Sequence, residues 1–140
     1  KNSLLLCDYL FPIPDGPFPT QSGGNSNAEA RIFSAVTGID TSEEELDKAG
    51  LRLQCMDRVM QIRNHDRTRE LEWNELIPFF KRPDGTTGAV IDEDKFAVMV
   101  DNFYGLLGWD KATGWPTRAT LEELDLKDVA DELASIGKLP

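Results

Sequence analysis

A thiolate at Cys7, beside Asp8 in an apolar segment at residues 3 to 11, could ligate a soft metal. Read from composition alone, the same residue is a small hydrophobe in a core. An iron-sulfur cluster takes four thiolates, and this chain has only Cys7 and Cys55, so any cluster would draw its other ligands from elsewhere. Cys55 falls near the apolar residues Met56 and Met60 of a helical pattern, which suits a buried, inert thiol. The single histidine, His65, stands among Arg63, Asn64, Asp66 and Arg67, the setting of a solvated side chain rather than a catalytic base. The acidic runs Glu43-Glu44-Glu45 and Asp92-Glu93-Asp94 read as helix starts, and the second lacks the alternating oxygen ligands and central glycine of a calcium loop. Trp73, Trp109 and Trp115 read as core anchors, the last two packing a turn against neighbouring helices.

With 25 acidic against 15 basic residues and a formal charge of -10, the chain repels phosphate backbones and anionic lipids, so no nucleic-acid or membrane partner is expected. The apolar runs are far shorter than the roughly 20 residues of a membrane-spanning helix. Two widely separated cysteines and no secretory signal point to a reducing, cytoplasmic setting. The length suits one compact domain over residues 1 to 140, and a start as apolar as Asn2-Ser3-Leu4-Leu5-Leu6 suggests a piece of a longer polypeptide.

The elements that would position these residues are helices. Pro12, Pro14, Pro17, Gly23 and Gly24 make residues 12 to 26 a loop. Ser26 with Glu29, the pair Ile32 and Val36, and Gly38 as a stop predict a helix over 27–37. A capping box at Thr41 and Glu44 and a stripe of Leu46, Ala49, Leu53, Met56 and Met60 predict a long helix over 42–64, with Arg58 and Arg63 placed to suit the helix dipole. Charge, Pro78, Pro83 and Gly85 make 65–88 mostly irregular, with a short apolar turn at Leu76 to Phe80. Asp92 caps a helix whose stripe is Phe96, Val100, Phe103 and Leu107 and which Gly108 stops. A turn over 108–116 leads to a capping box at Thr120 and Glu123 and a final helix carrying Leu126, Val129, Leu133 and Ile136. No strand alternation is present, so the expected class is all-α: an irregular helical domain of about five helices with long loops.

Two sets of residues resemble the C-terminal domain of the tungsten-containing aldehyde:ferredoxin oxidoreductase family. One is Ser34-Ala35-Val36-Thr37-Gly38-Ile39-Asp40 followed by Glu43-Glu44-Glu45-Leu46. The other is Gly108-Trp109-Asp110, Gly114-Trp115-Pro116-Thr117 and Leu121-Glu122-Glu123-Leu124. The similarity covers nearly all of residues 2 to 137. In that family the domain opens with an Asp-x-x-Gly-Leu-Cys motif whose acid contacts a pterin and whose cysteine is the fourth ligand of a [4Fe-4S] cluster. The matching residues are Asn2, Leu5, Leu6 and Cys7, so Asn2 replaces the acid and Leu5 the glycine. The resemblance thus implies cofactor contacts at Asn2, Leu6 and Cys7, with Cys7 as the metal ligand. It implies a longer enzyme that oxidises aldehydes to carboxylic acids at a tungsten or molybdenum bis-pterin centre and passes electrons through the cluster to ferredoxin. Upstream domains of the same chain would hold the remaining ligands, and the isolated domain would be inactive and carry no cofactor of its own.

The rival reading is a free-standing helical protein-interaction module without redox function, which would bury residues 3 to 11 in its own core and show a groove or a polar site elsewhere. An enzyme fragment would expose that apolar edge, which could also pair copies of the chain into a homo-oligomer. The acidic surface opposes ferredoxin docking on this domain, because ferredoxins are usually acidic themselves.

Overall fold

The structure is a computed structural model that describes residues 28–140. Among the described residues it is all-α, as expected, with six helices rather than about five: α1 (Ala28–Thr37), α2 (Glu43–His65), α3 (Arg69–Phe80), α4 (Glu93–Leu107), α5 (Arg118–Glu123) and α6 (Lys127–Ser135). The one β-type feature among them is an isolated antiparallel bridge between Trp109 and Pro116. No described helix is long and apolar enough to cross a membrane. The described residues divide into two compact units, with the boundary between Arg52 and Leu53.

In the first unit, α1 ends at Gly38, whose φ of 72° only glycine adopts freely and whose N–H returns to Ser34 O at 2.9 Å. Ser34 Oγ accepts from Thr41 N at 3.0 Å and so ties the end of α1 to the start of α2. The expected stripe of α1 is corrected: Ile32 and Val36 are exposed, and Ala30 is its buried residue. The capping box of α2 lies one residue later than Thr41 and Glu44. Ser42 N donates to Glu45 Oε2 at 2.8 Å and Glu45 N donates back to Ser42 Oγ at 3.2 Å, the reciprocal pairing that satisfies two orphan N–H groups.

The second unit holds a core of Cys55, Val59 and Ile62 from α2, Tyr104 from α4, Trp109, and Leu121, Leu124, Leu126, Ala130 and Leu133 from the C-terminal segment. The stripe anticipated for α2 through Leu53, Met56 and Met60 is therefore displaced by about one position, leaving Leu53 and Met60 exposed. On α4 the buried position is Tyr104 and not Phe103. Asp92 does cap α4, accepting from Lys95 N at 3.1 Å, and Gly108 does end it in the left-handed conformation. His65 is exposed, as its charged neighbours suggested.

The segment expected to be mostly irregular contains α3, 12 residues long. Thr68 starts it by accepting from Leu71 N at 3.2 Å, and Pro78 sits in its last turn, where it removes the N–H that would return to Asn74 O. Its signal was hidden because Leu71, Leu76 and Phe79 point to solvent, so no single apolar face stands out. Trp73, Phe80 and Phe96 form a second aromatic cluster, with Phe80 and Phe96 centroids 4.7 Å apart.

The final helix is two helices. Thr117, not Thr120, caps α5, and Asp125 at φ 57° breaks the chain between α5 and α6 so that Leu121, Leu124 and Leu126 all reach the core. Beyond α6, Lys138 Nζ donates to Ile62 O at 3.0 Å and Arg63 O at 3.1 Å and pairs with Asp66 at 2.5 Å. The chain's end thereby ties to the last turn of α2, where Ile62 O also accepts from Asp66 N at 3.1 Å.

Candidate functional site

The 55, 58, 59, 62 spacing of the buried face of α2 places a charge, Arg58, among apolar side chains. Arg58 is 6% exposed, which demands that its guanidinium be fully paired. Nε donates to Gly114 O at 2.8 Å, Nη1 to Glu72 Oε1, and Nη2 to Glu72 Oε2 at 3.3 Å, a bidentate pair between α2 and α3. Arg67 Nε donates to Glu72 Oε1 at 2.7 Å and Tyr104 OH donates to Glu72 Oε2 at 3.3 Å. The Arg58 guanidinium also lies 5.6 Å from the Trp109 ring centroid.

This cluster floors a groove of about 290 Å³ lined by Gln54, Asp57 and Gln61 of α2 and by Val100 and Phe103 of α4, together with Arg58, Glu72, Tyr104 and Trp109. Burial alone would raise the Glu72 carboxyl, but the hydrogen bonds and charges of Arg58 and Arg67 outweigh it and hold the pKa below the usual carboxylate range. Burial raises the Tyr104 phenol, and the Glu72 charge raises it further. Glu72 is thus ionised and Tyr104 protonated at neutral pH, each already bonded to the other. Neither is poised as a general acid or base.

The turn from 108 to 117 is held by the same cluster. Asp110 Oδ1 accepts from Thr113 N at 2.8 Å and Thr113 Oγ1 at 2.7 Å; the Thr113 side-chain and backbone bonds lower its pKa. Trp115 Nε1 donates to Arg67 O at 2.8 Å, and Thr117 Oγ1 and Thr120 Oγ1 both donate to Gly108 O. Gly114 has φ 71°, and a Cβ there would stand 2.7 Å from Arg58 Nη2 and 2.8 Å from Tyr104 OH. Gly114→Ala is therefore expected to destabilise the chain by about 2–4 kcal/mol, from left-handed strain plus overpacking against a fixed ion pair, measured by urea denaturation.

Cys55 is 2% exposed, and burial raises its thiol, opposed only slightly by Trp109. The Trp109 indole N–H makes no hydrogen bond of ordinary geometry; the sulfur nearby is a weak acceptor, so the N–H counts as unsatisfied. Cys55 is thus buried, as the sequence suggested, and its thiol is protonated at neutral pH. In iodoacetamide labelling read peptide by peptide, the Cys55 peptide should stay unmodified in native protein and label fully once urea unfolds it. Among the described residues no three His, Cys, Asp or Glu side chains gather to hold a metal. The expected cofactor residues Asn2, Leu6 and Cys7 lie outside the described residues.

What the described residues build is a helical scaffold, locked by a Gly-Trp-Asp and Gly-Trp-Pro-Thr turn over a buried arginine. A family model described as aldehyde ferredoxin oxidoreductase, domains 2 & 3, matches residues 1–126. The chain belongs to the aldehyde ferredoxin oxidoreductase family. It is also similar to a chain of the solved active site complex BamBC of benzoyl coenzyme A reductase in complex with 1,5-dienoyl-CoA, with a TM-score of 0.69 and 26% identity. That match covers 95% of this chain and 18% of the other, so this family member spans under a fifth of the length of the protein it resembles.

The resemblance drawn from the turn residues is thus correct at the level of family, and the structure gives those residues a physical task. Gly108 stops α4, Trp109 and Pro116 are buried and bridged, Asp110 and Thr113 close the turn, Gly114 admits Arg58 and Tyr104, and Thr117 caps α5. Arg58, Glu72 and Tyr104, which hold the turn, were missed in the sequence. The available signal was a basic residue on the same helical face as Cys55, Val59 and Ile62.

Proposed function

We propose that this chain is the C-terminal part of a tungsten- or molybdenum-pterin, iron-sulfur oxidoreductase that converts aldehydes to carboxylic acids with ferredoxin as electron acceptor. The observation that carries the reading is the family match over residues 1–126, which includes Cys7. In this reading Cys7 is the fourth thiolate of a [4Fe-4S] cluster, Leu6 belongs to the same cofactor-binding motif, and Asn2 offers an uncharged hydrogen bond to the pterin in place of the family's acid. The described helices contribute no ligand set to that centre, and their part is to hold the domain rigid. Upstream domains of the same polypeptide supply the other ligands and the substrate pocket, and the domain alone is inactive.

The cluster, when bound, supplies a one-electron relay. Each aldehyde takes up one water and gives up two electrons and three protons as the carboxylate forms, so two one-electron acceptors are reduced per turnover. A second reading, reduction of an aromatic or related acyl-CoA thioester, is favoured by the similarity to benzoyl coenzyme A reductase. The full-length protein, purified without oxygen, separates the two: aldehyde-dependent reduction of ferredoxin or a viologen dye supports the first. No aldehyde activity, with reduced viologen oxidised on adding benzoyl-CoA, overturns it in favour of the second.

A further inference from the structure

We draw no further inference here: the strongest candidate, the exposed apolar stripe of Met99, Phe103 and Leu106 along α4 beside the groove, has nothing in the structure to show what covers it.

Discussion

Glu72→Ala is expected to destabilise the chain by about 3–5 kcal/mol, because it leaves the Arg58 guanidinium buried without its counter-charge. The Arg58 side chain is 7% exposed and the Glu72 side chain 22%, so water can replace the lost carboxylate only in part. Arg67, at 39% exposed, turns outward at little cost and contributes far less. Loss of Glu72 also frees Tyr104 OH and loosens the hold on Gly114 O, so the turn that pins α5 should weaken with it. A double-mutant cycle in urea denaturation gives the check: Glu72→Ala with Arg58→Met should cost clearly less than the sum of the singles. Additive losses would mean that the pair is not coupled.

The same pair fixes a pH dependence. Glu72 has a folded pKa below its unfolded value of about 4.3, so its contribution is fully present above that value. The contribution is lost as pH falls through the lower folded value. The stability gap between the parent chain and Glu72→Gln should therefore be constant near neutrality and narrow on acidification. A gap that widened with acid would contradict the assignment of Glu72 as the ionised partner.

The second large effect is expected at Cys7. Cys7→Ala in the full-length protein should lose its cluster absorption and most of its iron, since three thiolates hold a [4Fe-4S] cluster poorly. The fold of the domain should survive, because the described core draws on Cys55 and residues beyond it. Circular dichroism unchanged alongside lost iron would separate ligation from structure. Full retention of iron would return Cys7 to the role of a small core hydrophobe.

The comparison of sequence with structure turns on which signals are local. The end of α1 at Gly38, the Asp92 cap and the Gly108 stop depend on one residue and its neighbours, and each was legible. The faces of α2 and α4 were misjudged because Met56, Met60 and Phe103 are apolar yet lie beside, not on, the buried stripe that Arg58 and Tyr104 share. A pattern read by hydrophobicity passes over a buried arginine whose partner, Glu72, sits in another helix. α3 escaped for a related reason: its apolar residues spread around the helix, and Pro78 looked like a break rather than a last-turn residue. The split between α5 and α6 depends on Asp125 in a left-handed conformation, which its residue type permits but does not announce. Of the candidate site, the turn motif was visible as a family feature, while its task as the lid over Arg58 emerged only from the contacts.

In the proposed function this domain completes a metal-pterin and iron-sulfur enzyme through Cys7. Elemental analysis of the anaerobically purified full-length protein tests it most directly, with iron, sulfide, tungsten and molybdenum measured per chain. About four irons with matching sulfide and one tungsten or molybdenum per chain are expected. Protein that folds and purifies well yet holds neither metal nor cluster would contradict it, leaving the family fold without the redox function.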